Sequence, residues 1–316
     1  MKKHFKRALS LLLAILLCIG MLPVSASAAD LTGSMSMIDI KGRDHALSSS
    51  LPAPFGGYAS EKYTMLRITD SSTGATKTAY CLELGISTYY QEQYQPSADY
   101  PQFSQEQKEL INAVLTLGYN TDTGVKYGGS PEDEYIATQI LVWLIAHKQL
   151  GTQHENQIVS EFTVSSPGAK TVFTKLRKAV MDYRTIPSFA CEDSKQAAAH
   201  TYELKYNAQT GKYETALTDS SGVLSEFSFS QPGVSFARTG NQLKVSSEKT
   251  SFSTVSGEKK LPSSIAGVVK GASRYWLNEH YQNVVTFEVG GEPLPVKAYF
   301  GLEVKAGHLK IVKTLS

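Results

Sequence analysis

The spacing of apolar residues changes twice along this chain, and that double change limits the folds open to it. Leu31–Lys41, Tyr58–Thr69 and Lys77–Leu84 alternate loosely, as strands do. From about 100 to 187 the apolar residues recur at helical spacing, and from about 200 to 306 short alternating runs and polar turns return. A helical block held between two β-rich stretches predicts an α+β fold: an antiparallel β-sandwich or barrel with an inserted helical subdomain.

Within the helical block the boundaries carry their own signals. Ser104-Gln105-Glu106-Gln107 is a capping box, followed by Leu110, Ile111, Val114, Leu115 and Leu117 on one face. Gly118 is expected to end this helix in a left-handed conformation. Ser130-Pro131-Glu132-Asp133 supplies an N-cap, a first-turn proline and first-turn acids for a second helix, about Pro131 to His147. A third is expected from about Ala169 to Tyr183.

The start of the chain fixes the compartment. Lys2, Lys3, Lys6 and Arg7 precede the apolar run Leu11–Leu22, and Ala26-Ser27-Ala28 follows. That order predicts a secretory signal peptide over residues 1–29, with Cys18 discarded inside it, and a mature chain that is secreted and not membrane-embedded. The formal net charge is +2 with the leader's basic residues counted. The mature chain therefore has no basic stripe, and nucleic acid is excluded as a partner.

Two cysteines remain in the mature chain, Cys81 and Cys191. In an oxidising compartment a disulfide between them is one reading, with the chain acting as a plain spacer. Cys81 lies on a strand between Tyr80 and Leu82, so that Ala79 and Cys81 share one face and Tyr80 and Leu82 the other. On the second helix Tyr135, Gln139 and Trp143 form one ridge, which sets an amide between two aromatic rings. A thiol that meets a sheltered amide can expel ammonia and leave a thioester, provided water is kept away. Spacing alone does not bring Cys81 and Gln139 together. It equally allows a secreted cysteine-nucleophile enzyme, a peptidase or transglutaminase-like protein, using Cys81 with His147, His200 or His280. The histidines lack metal-ligand spacing and no phosphate loop is present, so no cofactor is expected.

Tyr80-Cys81-Leu82 followed by Thr138-Gln139-Ile140-Leu141-Val142-Trp143 resembles the paired signature of thioester domains, N-terminal modules of Gram-positive surface adhesins. Leu141-Val142 stands where that family usually has Ala-Ile. The resemblance covers most of Leu31–Ala306 and implies a thioester domain over residues 30–306. It implies an internal Cys81–Gln139 thioester shielded by Tyr80, Trp143 and Tyr135, and covalent capture of an amine on a host-surface or extracellular-matrix protein. It implies a single-turnover binding module rather than an enzyme. The last residues, 307–316, resemble the first strand of a truncated collagen-adhesin B-type stalk domain, with Lys313 as a possible isopeptide lysine. By the same resemblance, further stalk domains and cell-wall anchoring lie C-terminal to this chain.

Overall fold

The computed structural model describes residues 32–45, 47–56, 61–89, 92–291 and 295–305, without the side chains of 41–45 and 61–62. The expected leader, the expected stalk strand and Lys313 lie outside these residues. The architecture is α+β, with sheets antiparallel except at one edge pair and a helical insertion.

Six strands close a barrel. In order around it they are β1 (Gly33–His45), β2 (Glu61–Asp70), β3 (Thr76–Cys81), β13 (Val284–Val289), β12 (Gly271–Leu277) and β4 (Gln93–Ser97). The closing pair brings residues about two hundred positions apart into register, with Cys81 opposite Val284. Alternation then sorts the side chains. Ala79 faces an inner cluster with Met35, Leu66, Ile68, Tyr94, Trp276 and Val284. Tyr80 and Leu82 face the larger core shared with the helices, as their alternate positions require. Cys81, at the end of its strand, touches both cores.

The insertion holds α1 (Gln105–Leu117), α2 (Pro131–Ala146), α3 (Glu155–Phe162) and α4 (Pro167–Arg184). Helix α2 is buried from Asp133 to Ile145, all the way round, which makes it the central rod of the domain. Each fully buried Leu or Ile on it stabilises the fold by about 1.5–3 kcal/mol. The capping box on α1 forms as expected, with Ser104 Oγ accepting from Gln107 N at 3.2 Å and Gln107 Oε1 accepting from Ser104 N at 3.1 Å. Gln107 Nε2 also donates to the carbonyls of Ile145 and Ala146, which satisfies orphan groups at the end of α2.

Gly118 corrects the expectation made for it. Its φ is −81°, in extended backbone. Glycine is required there for space: a Cβ would lie 2.7 Å from Thr138 Cγ2. The backbone after α1 is thus pressed against α2 one residue before Gln139. Helix α3 was also not foreseen; it begins at His154 without a side-chain cap.

The remaining chain builds two four-stranded sheets. One runs β6 (Lys205–Asn207), β7 (Lys212–Thr218), β10 (Gln242–Ser247), β9 (Val234–Thr239). The other runs β5 (Thr201–Glu203), β14 (Lys297–Glu303), β11 (Val255–Lys259), β8 (Phe227–Ser230). Cys191 is buried against the second sheet, bridged to Tyr299, with its thiol directed to the carbonyls of Tyr299 and Asp193. Cys81 and Cys191 are both free thiols, so the disulfide reading is wrong. They sit on different sheets.

Candidate functional site

The site forms where α2 interrupts the barrel. Strands β2 and β3 pair from Thr69–Thr76 up to Leu66–Ala79, and there the ladder stops. Tyr135 enters at that point: its hydroxyl accepts from Leu66 N at 3.1 Å and donates to Ala79 O at 3.1 Å. One phenol oxygen therefore stands inside what would be a direct inter-strand bond. Two residues further, continued register would set Thr64 against Cys81. Gln139 takes that place.

The contact between Gln139 and Cys81 is reciprocal. Cys81 N donates to Gln139 Oε1 at 2.8 Å, and Gln139 Nε2 donates to Cys81 O at 2.9 Å. A backbone N–H needs an acceptor and a backbone carbonyl a donor, so the pair also fixes which way the amide points. The side chain of Gln139 imitates a neighbouring strand at one residue. It is 2% exposed, which leaves its amide no water to bond instead. Tyr135 and Gln139 are one turn apart on α2, so both enter the same gap between β2 and β3.

Aromatic rings surround this contact on the helix side. Tyr80 stacks on Tyr135 with centroids 5.0 Å apart and donates its hydroxyl to the carbonyl of Tyr119. Tyr119 N in turn donates to Thr138 Oγ1 at 3.1 Å, tying the chain after α1 to the residue beside Gln139. Trp143, the last member of the ridge, stacks on Phe162 of α3 at 5.2 Å, and Phe162 meets Phe55 edge to face. The indole nitrogen of Trp143 has no partner among the described residues. The three expected shielding residues thus divide into two groups. Tyr80 and Tyr135 lie directly at the Cys81 strand, and Trp143 lies one turn beyond Gln139 in a wall made with α3.

The segment after Cys81 is held by groups that sequence reasoning passed over. The Glu83 carboxylate accepts from Tyr100 Oη at 2.9 Å, Asn283 N at 2.8 Å and Asn283 Nδ2 at 3.1 Å. Asn283 O accepts from Leu82 N at 3.0 Å. Glu83 thereby clamps the end of β3 to the residue preceding Val284, the barrel partner of Cys81. Position i+2 from a strand thiol was the available signal.

Burial drives the Cys81 thiol far above its ordinary range, and the nearby Glu83 charge adds to this. The resting group is a neutral thiol. His147 caps α2 and does not serve as its base: His147 Nε2 accepts from Leu84 N at 3.2 Å, and burial holds the imidazole below its usual value. His200 ends a short 3-10 helix before β5, and His280 lies exposed in the turn before β13. No histidine is hydrogen-bonded to Cys81 among the described residues, and none contain a three-residue His/Cys/Asp/Glu cluster suited to a metal. No described helix is long and apolar enough to cross a membrane.

The chemical content of the site is thus one neutral thiol and one dry amide whose two polar atoms are both bonded to the backbone of the thiol's own residue. None of the curated proteins matches the chain. Among solved structures, the thioester domain of the Staphylococcus aureus TIE protein aligns with 14% sequence identity over 87% of this chain and 100% of that one, at a TM-score of 0.46. The family model described as "Thioester domain" matches residues 78–181, a segment that runs from β3 into α4 and includes both Cys81 and Gln139.

Proposed function

We propose that this chain is a covalent adhesion module, in which Cys81 and Gln139 join in an internal thioester that captures an amine on a host surface or matrix protein. The observation that carries this reading is the reciprocal bonding of the Gln139 amide to the backbone of Cys81. The family match over residues 78–181 supports it.

The chemistry follows from those two bonds. The Cys81 sulfur attacks Gln139 Cδ, a C–S bond forms, the C–N bond breaks, and the thiol proton leaves with the nitrogen as ammonia. Charge that builds on Oε1 in the tetrahedral stage is met by the Cys81 N–H already 2.8 Å away, as in an oxyanion hole. Such a donor is worth about 2.7–4 kcal/mol where measured. Nucleophile and carbonyl belong to groups already held together, which removes a further entropic cost. The acyl side of the resulting thioester is dry at Gln139 and walled by Tyr80 and Tyr135, which slows hydrolysis.

An incoming amine runs this acyl transfer in the opposite direction. Its nitrogen bonds Gln139 Cδ, the C–S bond breaks, the amine loses a proton, and Cys81 ends as a thiol. Each molecule does this once, so the module is not a turnover catalyst. A cleaved leader over residues 1–29 and a stalk beginning near residue 307, with Lys313 as its isopeptide lysine, complete the reading of a secreted surface protein.

Intact-mass measurement on the mature chain tests it. The expected deficit is one ammonia relative to sequence, restored as an adduct by methylamine with release of one thiol. Cys81→Ala must abolish both the deficit and any detergent-stable adduct with serum or matrix proteins. A deficit that survives in Cys81→Ala refutes the assignment.

A further inference from the structure

Tyr94 carries a buried polar group that the fold leaves unpaired inside the barrel. It is 0% exposed inside the barrel, on β4, and its hydroxyl has no hydrogen-bond partner among the described residues. A buried hydroxyl left unsatisfied is destabilising, and phenylalanine would fill the same space without that cost. The position of Tyr94 indicates what the hydroxyl waits for. In the barrel order, β4 is three strands from β3 by either route, so the two stand directly across the lumen. Six strands enclose a narrower interior than eight, in which opposed side chains meet. Tyr94 belongs to the inner cluster with Ala79 and Val284, and Cys81 packs against that cluster from β3.

We infer that the Tyr94 hydroxyl is the hydrogen-bond donor that receives the Cys81 sulfur when it leaves Gln139. The inference rests on the thioester reading above. When an amine displaces the sulfur, the C–S electron pair goes to sulfur, and a thiolate appears in an apolar lumen. The Tyr94 O–H donates to that thiolate and keeps its own proton. The proton that finally neutralises sulfur is the one shed by the amine nitrogen, delivered through solvent. The same bond stabilises the thiolate that forms the thioester.

The groups acting electrostatically here make an unassisted thiolate unfavourable. Glu83 acts on both Cys81 and Tyr94, Glu92 and Tyr281 act on Tyr94, and Tyr135 couples to Cys81. None of them supplies positive charge. Burial holds the Tyr94 phenol well above its ordinary range, so it stays a donor at any working pH. Tyr94 is a positioning residue for the leaving sulfur, distinct from the Cys81 N–H that serves the oxygen.

The experiment compares the mature chain with its Tyr94→Phe variant in two measurements. The first is the methylamine opening rate of the thioester across pH. The second is the pH at which the freed Cys81 thiol becomes alkylated by a small haloacetamide. Expected are opening about tenfold slower in Tyr94→Phe, or about 1.4 kcal/mol of barrel-side stabilisation lost, and thiol titration displaced upward. Equal rates together with an unchanged thiol titration overturn the inference, because a purely structural tyrosine moves neither. Should wild type carry no ammonia deficit, the thioester reading falls. The alkylation comparison then still decides whether Tyr94 supports the thiolate. Should Tyr94→Phe not fold, 3-fluorotyrosine at position 94 substitutes for it: a more acidic phenol must open the thioester faster, and an unchanged rate overturns the inference.

Discussion

Tyr80 of the thiol strand and Tyr135 of the amide helix stack with centroids 5.0 Å apart and planes 21° from parallel. This pair is the joint between the barrel and the helical insertion. It sits one residue from Cys81 in one direction and one helical turn from Gln139 in the other. Four expectations follow from the way that joint and its neighbours are built.

Tyr135→Phe keeps the stack and removes the hydroxyl that stands between Leu66 N and Ala79 O. Two buried backbone groups then lose their partner, at about 1–3 kcal/mol. Urea unfolding is expected to show that loss. The ammonia deficit is expected to form more slowly as the gap between β2 and β3 narrows. Unchanged stability would mean that the ladder closes without penalty.

Gln139→Glu retains an acceptor for Cys81 N and loses the donor to Cys81 O. The variant folds and carries no ammonia deficit, since no amine is present to expel. Its carboxyl is buried and faces a carbonyl, so its folded pKa lies above the unfolded value of about 4.3. A raised acid pKa gives stability that is present at low pH and lost as pH rises through the folded value. Thermal unfolding from pH 4 to pH 8 is therefore expected to show a falling midpoint that wild type lacks.

His147 works in the opposite sense. Its Nε2 accepts from Leu84 N only while the ring is neutral, and burial keeps its pKa below the ordinary value. The stabilisation is present above the unfolded pKa of about 6.5 and is lost as pH falls through the lower folded value. Amide hydrogen exchange at Leu84 is expected to accelerate on acidification below pH 6.5, beyond the intrinsic trend. An NMR titration placing the His147 pKa above 6.5 contradicts this.

Gly118→Ala places a methyl 2.7 Å from Thr138 Cγ2, against the turn that bears Gln139. Overpacking of this kind costs about 1–3 kcal/mol. Loss of stability is expected together with a slower ammonia release, because the residue displaced adjoins Gln139, the acyl donor proposed above. Gly124→Ala offers a control: its φ is +70°, so it is strained, yet no neighbour lies near its Cβ. It is expected to lose stability without slowing the chemistry.

Much of this arrangement was legible from local chemistry. Ser104 and Ser130 announced two helix starts, alternation gave Tyr80 and Cys81 opposite faces, and helical spacing put Tyr135, Gln139 and Trp143 on one ridge. The Cys81–Gln139 pairing came from the resemblance, and what local chemistry missed was the closure of the barrel. Strand β12 pairs with β4 through Trp276 and Pro96, and β13 with β3 through Val284 and Cys81, across separations no local pattern encodes. Gly118 was assigned a left-handed turn because glycine often makes one, whereas here it yields space to Thr138. Tyr94 and Glu83 drew no notice, since a strand tyrosine and a polar residue after a strand are ordinary until the barrel closes around them.

The gap between β2 and β3 has a consequence for mechanics. A bond from Cys81 to Gln139 spans 58 positions and turns that stretch of chain into a macrocycle, threaded from a barrel strand to the central helix. By the loop-closure relation a ring of this size removes about 4 kcal/mol of unfolded-chain freedom, much as a disulfide does. On the proposed reading, capture of an amine would reopen the ring. The module would then exchange an internal staple for an external tether. It would be most rugged while vacant and softer once attached, with the load that follows attachment borne by a linear chain.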